Sequence, residues 1–245
     1  MQIDVLTLFP EMFAALDVSI VGRARKKGQL SLDVRNIRDY STDKHKKTDD
    51  TPFGGGRGML MMAQPLFAAL RDLGAESKRV VYMSPRGKRI SRTVLEDLAQ
   101  EEEIVVLCGH YEGVDQRVLD YWHAEELSIG DYILTGGELP AMVLIDALSR
   151  LLPGVLKSEE AALEESVYSG LLEHPQYTYP RDFEGMHVPE VLVGGDHRKI
   201  HLWQLEQALI LTKKQRPDLF EEYVKNAGRL DKDEQKVVEK VVYLL

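Results

Sequence analysis

Three glycine-bearing stretches stand out, SPRG at 84–87, CGHYEG at 108–113 and SIGDYILTGGELP at 128–140, the last two with acidic and aromatic residues among their glycines. A phosphate site needs a Lys, an Arg or a helix N-terminus beside its glycines. The third stretch has no cation and carries Asp131 and Glu138, while Glu112 and Asp115 lie in or beside the second. Carboxylates there repel a phosphate. Glycine lets a ligand approach the main chain closely. The chemistry these residues favour is therefore main-chain hydrogen bonding to a ligand that is neutral or cationic.

S-adenosylmethionine meets that description, with adenine edges for the main chain and positive charge for the carboxylates. The same glycines serve equally as turn and cap residues, and residue types alone leave both readings open. Other chemistry has less support. FGGGRG at 53–58 offers Arg57 but has neither the phosphate-loop spacing and lysine nor the dinucleotide pattern. The 7 histidines are scattered along the chain, which argues against a zinc site. There is no G-x-S-x-G elbow. Cys108 ends an apolar run and reads as a buried core thiol. Trp122 and Trp203 read as core or interface residues.

The elements that must position these loops follow from periodicity. Ile3–Leu8 alternates as a strand, and Pro10 suits the first turn of a short helix through Leu16. Residues 41–58 read as a long loop, and Pro65 opens a helix in PLFAALRDL. Arg79–Met83 reads as a strand with SPRG as the turn after it. Ser91 is a fitting N-cap for a helix near 92–100. Ile104–Cys108 reads as a buried strand, followed by a helix near 114–121. Glu126–Ile129 and Tyr132–Leu134 read as short strands. Glu138–Leu151 has apolar residues at helical spacing. Alternating strands and helices predict an α/β fold with a parallel sheet. In such sheets ligands gather at the carboxyl ends of the strands, where the three loops fall.

The chain of 245 residues has ample length for a core. One cysteine precludes an internal disulfide and fits a reducing compartment. MQIDVLTLFPEMF does not read as a signal peptide. No window approaches the roughly 18 apolar residues of a membrane span, so the sequence predicts a soluble cytoplasmic protein without membrane partners. Net charge is −9, unevenly spread: residues 1–92 hold 17 Lys and Arg against 10 Asp and Glu, and the remainder 14 against 30. The clusters RARKK (23–27), KHKK (44–47) and KR…RGKR (78–89) can form a local basic face for a phosphate backbone on an acidic protein, or simply a solvated surface. After Pro153 the composition changes. KSEEAALEES (157–166) reads as a linker. Beyond it lie an irregular His, Pro and Tyr run to 197, a helix over 198–216 that Pro217 breaks, and a capping box of Asp231 and Glu234 before a last helix.

Taken together, DVLTLFPEMF, TPFGGGRGMLMM, YMSPRGKRI, CGHYEGVDQRV, ELSIGDYILTGGELPAMVLIDALSRLLPGVL, GLLEHPQYTYP and WQLEQALILTKKQRPDLF resemble bacterial tRNA (guanine-N1)-methyltransferases, the TrmD family of the SPOUT superfamily. The resemblance runs in order along nearly the whole chain, and the segments 108–117 and 127–156 are its most specific parts. It implies a parallel α/β sheet with a deep trefoil knot over 1–156, a flexible linker over 157–170 and a small helical tRNA-binding domain over 171–245. It implies a homodimer with both active sites at the interface. The implied reaction moves a methyl group from S-adenosylmethionine to N1 of the guanine 3′ of the anticodon, a tRNA modification that maintains reading frame.

Carried over by position, the resemblance assigns the cofactor to Ser84 and Pro85; to Gly109, Tyr111, Glu112 and Gly113; and to Ile129, Gly130, Asp131, Tyr132, Ile133, Leu134, Gly136, Gly137 and Pro140. Glu112 would face the cationic methionine end. Asp50 matches the residue that reads the neighbouring guanine, and Ser166 is a further substrate contact. Guanine N1 carries a proton, so its methylation needs a carboxylate to accept that proton and a cation for the charge developing on O6. Arg150 matches the cation. The family's base is an aspartate in an E-D-S-F-like motif, which here reads Glu164-Glu165-Ser166-Val167 and puts Glu165 in its place. Arg57, His110 and Asp196 are lesser departures. The family also uses magnesium, for which no carboxylate cluster in the sequence marks a site. Loss of the aspartate also fits a non-catalytic RNA-binding protein on the same scaffold, and the fold fits methylation at another RNA position.

Overall fold

The computed structural model describes residues 1–156 and 166–244. Glu165 and Glu164 lie outside the described residues. The chain divides into two compact units, Met1–Lys157 and Ser158–Leu245.

The first unit is built on five parallel strands. They are β1 (Gln2–Thr7), β2 (Ser31–Asn36), β5 (Arg79–Arg89), β6 (Glu103–Cys108) and β7 (Glu125–Ser128), in the order β2-β1-β6-β5-β7, while the short strands β3 (Asp49–Asp50) and β4 (Leu60–Met61) pair with each other apart from them. Strand alternation sorts the core into two layers. Ile3, Val5, Val81, Met83, Ile104, Val106 and Cys108 face one side. Leu6, Val80, Tyr82, Val105 and Leu107 face the other. The first layer packs against α1 (Ser19–Lys26), α3 (Arg92–Leu98) and α5 (Glu138–Ser149) through Val21, Ala24, Val94, Leu98, Leu144 and Leu148. The second packs against α2 (Ala63–Asp72) and α4 (Gln116–Tyr121) through Leu66, Leu70, Val118 and Leu119. Helices on both faces explain why Ile104–Cys108 is apolar throughout.

Local chemistry accounts for the element starts. Pro10 opens a 3-10 helix through Asp17, as its fixed φ allows. Ser91 Oγ accepts from Val94 N–H as the N-cap of α3, and Asp115 Oδ1 accepts from Arg117 N–H at the head of α4.

Three sequence expectations need correction. SPRG is no turn: β5 continues through it to Arg89, and its register against β7 shifts between Met83 and Lys88, both of which pair with Leu127. The four residues bulge out of the ladder, and Gly87 lies so close to the β7 backbone that a Cβ would stand 2.4 Å from the Glu126 carbonyl carbon. Tyr132–Leu134 is no strand; it has no pairing partner and its side chains are exposed. Pro65 sits within the first turn of α2, which begins at Ala63.

The second unit packs a helix over His197–Gln215 against two others, Pro217–Lys225 and Lys232–Tyr243, around Leu171, Leu209, Phe220, Val238 and Val241. Pro217 ends one helix by opening the next. Asp231 and Glu234 form the capping box. The run to 197 contains a two-stranded hairpin, Asp182–Phe183 with Met186–His187.

Candidate functional site

The carboxyl ends of β6, β5 and β7 lie side by side, and a cavity of about 470 Å³ opens above them. Its wall takes in Ser84 and Pro85 from the β5 bulge, Gly109 to Val114 after β6, and Ile129, Gly130, Tyr132 to Gly137 and Pro140 after β7. Of the fifteen positions assigned to the cofactor by resemblance, Asp131 alone is not on the wall; its carboxylate contacts Arg89. The wall also includes Tyr82, Met83, Arg86, His110, Gln116 and Leu60, which sequence reasoning passed over. Tyr82 and Met83 end the apolar stretch just before SPRG, which was the available signal.

The glycines hold the loops together by close approach. Gly137 N–H donates to the Gly109 carbonyl at 2.8 Å, and His110 bridges Gly136 in antiparallel register. The loop leaving β7 thus passes the end of β5 to join the loop leaving β6. A Cβ on Gly137 would stand 2.8 Å from Cys108 Cα, and one on Gly109 2.6 Å from the Tyr82 hydroxyl. Gly137→Ala therefore forces backbone apart. We expect a loss of about 1–3 kcal/mol in stability, as for overpacking, and at least tenfold weaker cofactor binding, both read by calorimetry.

Electrostatics leave the wall short of positive charge. Among the described residues on the wall, Arg86 is the only Lys or Arg. It is engaged by Glu126 at 2.8 and 3.2 Å and by Gln116 at 3.4 Å. Glu112 lies on the wall as well. Burial holds the Tyr82 hydroxyl above its ordinary pKa, with the Glu126 charge adding to the effect. Burial, and then the Glu138 charge, keep Cys108 protonated as a core thiol.

Asp50 reaches this site through main-chain lacing. It pairs with Leu60 across the short strands Asp49–Asp50 and Leu60–Met61, and Leu60 is on the cavity wall. Met61 N–H donates to Gly113 O at 2.9 Å, and Glu112 N–H to Met59 O at 3.0 Å. Lys47, then the Thr51 N–H, hold the exposed Asp50 carboxyl below the usual range.

Arg150 is placed elsewhere. It caps the C-terminal end of α5, about 20 Å along the axis from Gly137 at a rise of about 1.5 Å per residue. Ser166 belongs to the second unit, where its Oγ accepts from Glu173 N–H at 3.1 Å. Among the described residues no three His, Cys, Asp or Glu side chains come together as a metal site. No helix among them is long and apolar enough to cross a membrane.

Comparison with known proteins shows which proteins this chain is similar to. The family model described as tRNA (Guanine-1)-methyltransferase TrmD matches residues 1–222. A tRNA (guanine-N(1)-)-methyltransferase of Ruminiclostridium cellulolyticum is 54% identical over 224 residues, 90% of this chain and 96% of the relative. One of Moorella thermoacetica is 55% identical over 225 residues, 90% of each chain. One of Clostridium novyi is 48% identical over 240 residues, 98% of this chain and 97% of the relative.

Proposed function

The chain belongs to the tRNA (guanine-1)-methyltransferase family described as TrmD, and from that membership we propose that it methylates N1 of the guanine immediately 3′ of the anticodon in tRNA. The observation that carries this reading is the cavity at the strand ends, walled by bare main chain at Gly109, Gly136 and Gly137 and lacking an uncommitted Lys or Arg among its described residues. Such a wall suits S-adenosylmethionine, which supplies the methyl group as an electrophilic carbon on a sulfonium. The loops after β6 and β7 would hold the adenosine through main-chain groups, and Glu112 would face the cationic end. The crossing of those two loops is read as the trefoil knot.

Guanine becomes a nucleophile at N1 as its proton leaves. Glu165 accepts that proton, its longer arm taken up by the linker, and Arg150 stabilises the charge on O6. Asp50, laced to the cavity through Leu60, reads the neighbouring guanine, and Ser166 also contacts substrate. Arg150 stands about 15 Å along α5 beyond Pro140, the wall residue of its own chain farthest along that helix, at a rise of about 1.5 Å per residue. It therefore serves the cavity of a second copy, and the active form is a homodimer. Leu139 and Val143, one turn apart on α5, are half exposed and give that copy an apolar face. The second unit grips tRNA, with Tyr177, Tyr179 and Phe183 exposed near Arg181 in sequence.

The test is nucleoside analysis of a tRNA transcript carrying guanine at that position, after incubation with S-adenosylmethionine and the protein. N1-methylguanosine is the expected product. Methylation of another atom or another nucleotide would overturn the assignment.

A further inference from the structure

The Glu138 carboxylate is buried behind the cavity without lining it. The residue is 2% exposed, and its Oε1 accepts a hydrogen bond from Thr7 Oγ1 at 2.8 Å. Thr7 is itself fully buried, and its Oγ1 accepts from Phe9 N–H at 3.0 Å. The one hydroxyl proton is therefore committed to the carboxylate. The other oxygen, Oε2, lies behind Gly136, where a Cβ would stand 2.3 Å from it. Gly136 is on the wall, so a single glycine separates the carboxylate from the ligand space.

Burying a carboxylate is costly unless it is compensated. One compensation is the first turn of α5, where aligned peptide dipoles place partial positive charge. This pairing has a consequence for the ligand. Gly137, the N-cap of α5, and Pro140 in its first turn are both on the wall. The positive end of the helix alone would favour an anion there. Glu138 offsets that field at its source, and the buried charge acts through a medium of low polarisability that screens it weakly.

We propose that Glu138 sets the charge preference of the cavity, favouring the cationic methyl donor over its neutral demethylated product. Glu138 touches neither ligand; it is a specificity-determining residue that acts through its field. The inference rests on the S-adenosylmethionine reading of the cavity. Donor and product differ by one methyl group and one positive charge, so a charge effect shows in the ratio of their affinities, whereas a structural effect moves both together.

Calorimetric titration of S-adenosylmethionine and S-adenosylhomocysteine into wild type, Glu138→Gln and Glu138→Asp tests it. In Glu138→Gln, affinity for the donor falls about tenfold or more, while affinity for the product stays within about twofold. Glu138→Asp keeps the charge and keeps the wild-type ratio within about twofold. Equal loss of both ligands in Glu138→Gln, failure of that variant to fold, or loss of the ratio in Glu138→Asp would assign Glu138 to structure and overturn the proposal. Wild type binding neither ligand would remove the cofactor reading along with it.

Discussion

Replacing Glu165 with Gln lowers the single-turnover rate of methyl transfer by about 10²–10⁴-fold, the range for loss of a general base. The amide keeps the length and shape of the side chain but cannot take the N1 proton at neutral pH. Without that acceptor, the transition state must develop positive charge on a base that is already a poor nucleophile. Affinity for S-adenosylmethionine is expected to hold, because the described wall residues come from the β5 bulge and the loops after β6 and β7. Rapid-quench kinetics with enzyme in excess over tRNA reads the step directly. A near-full rate in Glu165→Gln would remove the residue from the mechanism and turn attention to Glu164.

Arg150→Ala produces the second large loss, about 10²–10³-fold in the same assay, as when a donor to a developing oxyanion is deleted. The position of Arg150 makes a sharper prediction. It caps the end of α5 opposite the cavity, so each active site would take the cofactor loops of one copy and the Arg150 of the other. Arg150→Ala, and Gly137→Ala assayed with S-adenosylmethionine held well below its weakened dissociation constant, each have little activity alone. Co-refolded in equal amounts, about half of the dimers are mixed, and each mixed dimer has one intact site. Activity then returns to about a quarter of wild type, as expected for a symmetric dimer. No recovery would place Arg150 in the site of its own chain or outside catalysis.

Some of this was legible along the chain and some was not, for definite reasons. Ile3 and Val5 at alternate positions, and the fully apolar Ile104–Cys108, make the strands of the parallel sheet readable, because strands covered on both faces are largely apolar. The capping box at Asp231 and Glu234 was readable because its chemistry is local. SPRG misled because a bulge is defined by its partner strand. Only the pairing of both Met83 and Lys88 with Leu127, some forty residues on, distinguishes it from a turn. Tyr132–Leu134 misled because an apolar run reads as a strand whether or not a neighbour exists to pair with it. Here the run borders a cavity instead. From residue type alone Glu138 reads as an acid that repels a phosphate. Its burial depends on Thr7, 131 residues away, and no local pattern could place it behind Gly136. On the described wall stand Glu112 and one Arg, Arg86, which Glu126 engages.

The most direct test of the central claim pairs two transcripts of the same tRNA, one with guanine immediately 3′ of the anticodon and one with adenine there. Each is incubated with the protein and S-adenosylmethionine labelled in its methyl group. The guanine transcript takes up label to about one methyl per molecule, consistent with a single target atom for the base to deprotonate, and the adenine transcript takes up none. Equal labelling of both would contradict the account.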